Sequence, residues 1–233
     1  MKVTLLVPTI NEIDGMRVVM PRIKPEWADQ IIVCDGGSTD GTVEYTREHG
    51  YLVVSQLKRG LRYAYLAALP YVTGDVIVTF SPDGNSIPEL IPKLTAKIRE
   101  GHDLVIASRY LGGAKSEDDN LITAFGNWFL TRLVNLLFGG HYTDWINIFR
   151  VFRTQIIYDL KLDHDESYAF IEKITRTGAA METIMSIRAA KQKLRIAEIP
   201  GDEPKRIGGV RKMRVLRDGF HILVMILYEF FVW

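Results

Sequence analysis

Three polar, turn-rich segments carry the side chains best placed for chemistry: PTINE (8–12), DGGSTDGT (35–42) and SPDGNS (81–86). Each follows a short apolar run. Asp35 closes such a run with Gly36 and Gly37 behind it, and glycines there let the backbone approach a ligand closely. Asp83 stands in an Asp-Gly turn, and Asn85 follows two residues on. Near the C-terminus Lys205, Arg206, Arg211, Lys212, Arg214 and Arg217 form a basic cluster suited to anionic groups such as lipid headgroups. Each feature also has a plainer reading. Asn11 and Glu12, or Ser38 and Asp40, would serve as helix caps, Asp83 as an ordinary turn residue, and the basic cluster as a solvated surface.

The elements that position these segments are legible as an alternation. Val3 to Val7, Ile31 to Cys34, Leu52 to Ser55, Val76 to Phe80 and Leu104 to Ala107 read as strands buried on both faces. Between them, Glu12 to Ile23, Thr42 to His49, Leu61 to Tyr71 and Ile87 to Arg99 have helical spacing. This order predicts an α/β domain with a mostly parallel sheet flanked by helices. In such sheets ligands bind at the carboxyl ends of the strands, which is where the three segments fall. Pro8 is expected to end the first strand.

Beyond Arg109 the pattern changes. Tyr110 to Asn120 reads as a mobile loop. Leu121 to Phe138 predicts an amphipathic helix whose polar residues, Asn120 just before it and then Thr123, Asn127, Thr131 and Asn135, form one narrow stripe against a broad apolar face. A further helix is expected over Ala180 to Gln192 and a strand over Arg195 to Ile199. The run from Phe220 to Trp233 would reach roughly 21 Å as a helix, short of the roughly 30 Å of a bilayer core, and His221 and Glu229 interrupt it. An interfacial or packing helix is expected there rather than a span. The domain is placed at 1–213, with 214–233 as an appended apolar helix.

Net charge is +1, which gives no general case for nucleic acid. The single cysteine, Cys34, excludes an internal disulfide and fits a reducing cytosol. Val3 to Val7 is too short for a signal-peptide core.

In order and spacing, the three post-strand motifs together resemble family 2 of the glycosyltransferases, which has the Rossmann-like GT-A fold. The nearest branch is that of dolichol-phosphate mannose synthase and its polyprenyl-phosphate relatives. The likeness runs from Val3 to about Lys212. By this resemblance Pro8, Ile10, Glu12, Asp35 and Gly37 line the donor's nucleotide, with Gly36 where the family often has a second Asp. Ser81, Pro82 and Asp83 correspond to its Asp-x-Asp, with Ser81 in place of the first Asp. Asp83 and Asn85 would then hold Mg²⁺ or Mn²⁺, oxygen donors suited to hard cations. Ser-Arg-Tyr at 108–110 implies that Arg109 meets an acceptor phosphate, for which a guanidinium is well shaped. DWINIFRVFR (144–153) matches an acceptor-side segment through Asp144 and Arg150, with Ile148 where Gly is usual, and an N-cap or a structural ion pair is an equal reading for Asp144. Glu182 falls where the family carries a helix carboxylate. PKRIGGVRKM (204–213) resembles the loop that folds over the donor phosphates, with Arg206 foremost, Lys205, Arg211 and Lys212 assisting, and Gly208 and Gly209 as its hinge.

The implied activity is metal-dependent, inverting transfer of a sugar from a nucleotide diphosphate sugar to a polyprenyl monophosphate, with Asp83, Arg109 and Arg206 as catalytic residues. The implied place is peripheral, on the cytoplasmic face of a membrane. A homo-oligomer is admitted but not demanded. Two rivals stand beside it: transfer to a glycan hydroxyl, which would need Glu182 or Asp144 as base, and a nucleotide-sugar binder without catalysis. The apolar stretches are equally readable as core or as a dimer interface.

Overall fold

The computed structural model describes residues 1–208 and 215–233, so Gly209, Arg211 and Lys212 lie outside the described residues. Strand β1 (Val3–Thr9) has every residue but Pro8 buried, and its side chains alternate between two cores. Leu6 joins one, Leu5 and Val7 the other, as the two-residue period of a strand requires. The remaining strands are β2 (Gln30–Asp35), β3 (Leu52–Ser55), β4 (Val76–Thr79), β5 (Leu104–Ser108), β6 (Arg150–Arg153) and β7 (Ile196–Pro200). They form one sheet in the order β3-β2-β1-β4-β6-β5-β7. All pairings are parallel except those of β6, which runs antiparallel to both β4 and β5.

The chain leaves β1 for β2 on one side and returns to β4 on the other, so the strand order reverses at β1. Brandished ends of this kind leave a crevice at the carboxyl edge. β1 does not stop at Pro8, as expected, but runs to Thr9 against Asp35. The ladder to β4 has already ended at Leu6, so the missing proline N–H leaves no gap there.

Helices α1 (Ile13–Val19), α2 (Thr42–Glu48), α3 (Leu61–Ala68), α4 (Ile91–Arg99), α5 (Leu121–Phe138), α6 (Ile156–Asp159), α7 (Glu166–Thr175), α8 (Met181–Lys191) and α9 (Val215–Phe231) cover the sheet. Met16, Val19, Tyr45, Leu94 and Ile98 from α1, α2 and α4 build one core. Residues of α3 and of α5 to α9 build the other, larger one. Short 3-10 turns at Met20–Arg22 and Leu69–Tyr71 complete two of the expected helices, each with a proline that cannot donate to the preceding α turn. β6, α6 and α7 are additions to the elements legible in the sequence.

The C-terminal helix is part of this larger core. Met225 and Ile226 are fully buried, and the Glu229 carboxylate, 0 % exposed, takes Nη2 of Arg188 on α8 at 2.8 Å. Arg188 also donates to the Leu160 carbonyl at 2.7 Å and to Ser167. The interruption of the apolar run by Glu229 is thus an anchor to the protein.

Helix α5 is built inside out. Its N-cap Asn120 and Thr123 form a reciprocal capping box, and Gly139 closes it in the left-handed region. Its inward stripe is Thr123, Asn127, Thr131, Val134 and Phe138. Leu121, Ile122, Phe125, Trp128, Phe129 and Leu136 are exposed. The polar stripe of the sequence faces the protein, and most of the apolar face is turned outward.

Candidate active site

Two of the post-strand segments are laced together before any ligand is considered. Asn11 adopts φ +55°, a left-handed conformation that asparagine tolerates. Its side chain accepts from Thr39 N at 2.8 Å, and its own N–H donates to Ser38 Oγ at 2.9 Å. Asp40 accepts from Ile13 N and from both Thr42 N and Thr42 Oγ1. The α2 N-cap itself is Gly41 without a side-chain cap. Ser38 and Asp40 therefore tie two loops together rather than capping one helix.

Asp35 is committed to the same lacing. Its carboxylate accepts from Gly37 N at 2.8 Å, Ser38 N at 3.0 Å, Ser38 Oγ at 2.5 Å and Thr9 Oγ1 at 3.3 Å. These four bonds use the roughly four lone-pair sites of a carboxylate.

A cavity of about 420 Å³ opens at the carboxyl edge, over β1, β2 and β4. Pro8, Ile10, Glu12, Ser81, Asp83 and Arg206 line it, as the resemblance implies, and Asp35 and Gly37 do not. Cys34 is also at its wall; burial pushes the thiol up to about 12, so it is neutral and poorly nucleophilic. Gln56, Arg59 and Gly60 from the loop after β3 complete the wall, and these the sequence reading passed over. The available signal was positional: QLKRG also follows a strand, at the same edge of the sheet.

Asp83 and Arg206 meet at one end of the cavity. Arg206 Nη1 lies 2.7 Å from Asp83 Oδ2 and 3.8 Å from Glu12 Oε1. Backbone contacts hold the pair: Ile207 N donates to the Asp83 carbonyl at 2.6 Å, and Asn85 N donates to Asp83 Oδ1 at 3.0 Å. Gly84 takes φ +95°, and a Cβ there would meet Ile207 Cγ1 at 2.7 Å. Only glycine lets the basic segment close this tightly on the turn. Gly15 does the same for α1, since a Cβ would meet the Pro82 carbonyl oxygen at 2.2 Å. Pro82 itself is buried under this contact. Lys205 is exposed, and Gly208 packs against Asp14 with φ +71°.

The donor set for a cation is small. Among the described residues no three His, Cys, Asp or Glu gather as a metal cluster. Asp83 supplies one carboxylate, and the Asn85 amide Oδ1 is buried with no hydrogen-bond partner, while its Nδ2 donates to Asp118 at 3.2 Å. Two hard oxygens fit a Mg²⁺ or Mn²⁺ ion that takes its remaining ligands from phosphate and water.

The acceptor-side candidates lie elsewhere. Arg109 grips Asp144 through Nε at 2.6 Å and Nη2 at 3.0 Å, and its Nη1 lies 3.4 Å from Glu203 Oε2. Burial works against the guanidinium's charge, but Asp144 and Glu203 outweigh it and hold the pKa above the usual arginine range. Asp144 is fully buried. Tyr110 to Asn120, expected to be mobile, is tied down: Lys115 and Glu117 exchange backbone bonds with Glu203, Ser116 Oγ bonds the Glu203 carboxylate, and Tyr110 bonds Asp119.

Glu182 is buried on α8 and does not line the cavity. Burial raises its pKa, opposed by the charge of Arg150. The Tyr65 hydroxyl neighbours it without the geometry of a full hydrogen bond. Arg150, wholly buried, spends its donors on the carbonyls of Trp145, Asn147 and Glu182 and on Ser186, which fixes β6 between its neighbours.

Comparison with known proteins matches this fold. The solved structure of glucosyl-3-phosphoglycerate synthase from Mycobacterium tuberculosis, bound to Mn²⁺, uridine diphosphate and phosphoglyceric acid, superposes with a TM-score of 0.73 at 20% identity, covering 100% of this chain and 79% of that one. Its GT-A fold is the fold seen here. The undecaprenyl-phosphate mannosyltransferase of Micrococcus luteus is 28% identical over 91% of this chain and 88% of its own. The dolichyl-phosphate hexose transferase of Haloferax volcanii is 30% identical over 76% of this chain and 71% of its own. The family model described as Glycosyl transferase family 2 matches residues 4–165, a span that includes β1 from Thr4, the Asp83 turn and every cavity-wall residue except Arg206. The chain belongs to glycosyl transferase family 2.

Proposed function

We propose that the protein transfers a sugar from a nucleotide diphosphate sugar to a polyprenyl monophosphate, with inversion, at the cytoplasmic face of a membrane. The observation that carries this reading is the cavity at the strand-order reversal, closed at one end by Asp83 and Arg206. The names of the Micrococcus and Haloferax relatives support a polyprenyl-phosphate acceptor.

In this reading the donor lies in the cavity with its diphosphate toward Arg206. Asp83 and the Asn85 amide oxygen would hold a divalent cation, which supplies positive charge to the leaving diphosphate. Arg206 turns from Asp83 to the diphosphate and stabilises the charge that develops there. Lys205 adds to the field, as do Arg211 and Lys212 beyond the described residues. An acceptor phosphate oxygen attacks the anomeric carbon, the bond to the diphosphate oxygen breaks, and the nucleotide diphosphate leaves. A phosphate monoester, with a second pKa of roughly 6, needs no base at neutral pH. That agrees with the two carboxylates a hydroxyl acceptor would call on. Asp144 is buried against Arg109, and Glu182 is buried away from the cavity. Arg109 would meet the acceptor phosphate through Nη1, in exchange for Glu203.

A donor panel tests this. The purified chain in detergent receives polyprenyl phosphate, Mg²⁺ or Mn²⁺, and each common nucleotide sugar in turn, and mass spectrometry looks for glycosylated lipid phosphate. Product from one donor that requires the metal and disappears with Asp83→Ala supports the proposal. Release of nucleotide without lipid product discards the acceptor, and silence with every donor, in a folded protein, discards catalysis.

A further inference from the structure

We propose that Gln56 reads the donor's base through its side-chain amide, and so selects a uridine diphosphate sugar over a guanosine one. The inference rests on the cavity being the donor site.

Asp35, the carboxylate nearest the base by sequence, has no capacity left: Gly37, Ser38 and Thr9 fill it. Gln56 does line the cavity, and its Oε1 is buried without a hydrogen-bond partner. Its backbone N–H is fixed to the Asp35 carbonyl at 3.0 Å, which aims the side chain across the end of β2. The space it fills exists because residue 36 is glycine. A Cβ there would lie 2.9 Å from Gln56 Nε2, 3.2 Å from the Thr9 carbonyl oxygen and 3.4 Å from Ile10 Cβ. Gly36 and Gln56 are therefore one device, a bare backbone and the amide that occupies the room it leaves beside Ile10.

An amide presents one acceptor beside one donor. Uracil answers with N3–H beside O4, so Oε1 accepts from the ring imide and Nε2 donates to the carbonyl. Guanine shows two adjacent donors, N1–H and the N2 amino group, a pattern that suits a carboxylate. Pairing O6 and N1–H with an amide strands the amino group, and a buried donor left unpaired is unfavourable. Adenine and cytosine each present an exocyclic amine beside a ring nitrogen and can also pair with an amide, so Gln56 separates uracil from guanine and not from these two.

Calorimetric titration of the full chain in Mg²⁺ with UDP, GDP, ADP and CDP tests this. UDP is expected to bind at least tenfold more tightly than GDP, with ADP and CDP as controls. Gln56→Glu, close in shape, should weaken UDP at least tenfold and narrow or reverse its lead over GDP. Gly36→Ala, which drives a Cβ into the amide, should weaken UDP as well. Thermal melting checks that both variants fold, and if Gly36→Ala does not, Gln56→Glu alone decides. GDP binding as tightly as UDP, or an equal loss of all nucleotides in Gln56→Glu, overturns the inference. Lipid product from a guanosine donor would sink the role of Gln56 and leave the transfer reading standing. Tight, Gln56-dependent UDP binding with no transfer to any acceptor would do the reverse.

Discussion

Arg206 and Asp83 are paired at 2.7 Å, and in the proposed reaction a donor parts them, so removal of Arg206 should have its own signature. Without Arg206 the leaving diphosphate in that reaction would lose a cation that stabilises its developing charge, and loss of one such group typically lowers turnover by about 10²–10³-fold. Arg206→Ala is therefore expected to lower kcat by about that factor, with a smaller change in KM, measured by steady-state transfer with the donor that the panel identifies. A loss confined to KM would make Arg206 a ground-state binder only. Glu182 makes the opposite kind of prediction, about stability. Its carboxyl pKa is raised by burial, against the charge of Arg150, so the folded protein prefers it neutral. The stability this contributes is complete below the unfolded carboxyl value of about 4.3 and is lost as pH rises through the higher folded value. Glu182→Gln, neutral at every pH, escapes that loss. Its melting temperature should gain on that of the parent as pH is raised from about 4 to about 8. A difference that does not change with pH would mean that the carboxyl titrates normally.

Helix α9 shows how an element's role turns on a single buried group. By length and composition the run from Phe220 to Trp233 is indifferent between an interfacial helix and a packed one. The Arg188–Glu229 pair, with exposures of 1% and 0%, ties it to α8. Removing one partner of a buried ion pair costs about 3–5 kcal/mol, so Glu229→Ala should destabilise the protein by about that amount in denaturant unfolding. Replacing both residues by apolar ones of similar volume should recover most of the loss; no loss in Glu229→Ala would mean that α9 docks independently of α8. This anchor was not visible in the sequence, because a glutamate in an apolar run looks the same whether its partner is water or Arg188, 41 residues away. β1, β2, β4 and β5 were legible because their faces are buried, which writes them as continuous apolar runs; β3, expected to be buried on both faces, is an edge strand with none of its residues buried. β6 was not legible, since RVFR carries two arginines, and only the folded sheet supplies the carbonyls that satisfy Arg150. At the site the same division holds. Asp83 and Arg206, singled out by their motifs, meet in the cavity, whereas Gln56 was passed over because an amide after β3 stands out only once the fold sets it beside Gly36.

At the scale of the whole molecule, helices α5 and α9 pack on each other and both carry exposed apolar side chains. α5 turns Leu121, Phe125, Trp128, Phe129 and Leu136 outward, and α9 adds Phe220, Leu223, Leu227, Phe230 and Phe231. Helix α5 is long and apolar enough to cross a membrane, but its inward stripe of Thr123, Asn127 and Thr131 is buried in the protein, which favours lying along a surface over spanning it. Exposed apolar residues in this number mark an interaction face; under the proposed function a bilayer would cover it and present the polyprenyl phosphate. Phe125, Trp128 and Phe129 are each about half exposed, so inserting the exposed half should contribute on the order of 1 kcal/mol per residue. Replacing all three by serine should lower partition onto anionic phospholipid vesicles by about 100-fold, read by co-flotation. Nucleotide binding in the same variant should stay at the parent level, since none of the three lines the donor cavity. Parent binding should also persist in high salt, because apolar insertion is not screened as the basic cluster would be. Undiminished flotation, together with a parent dimer that the triple variant abolishes in solution, would reassign this face to a second copy of the chain.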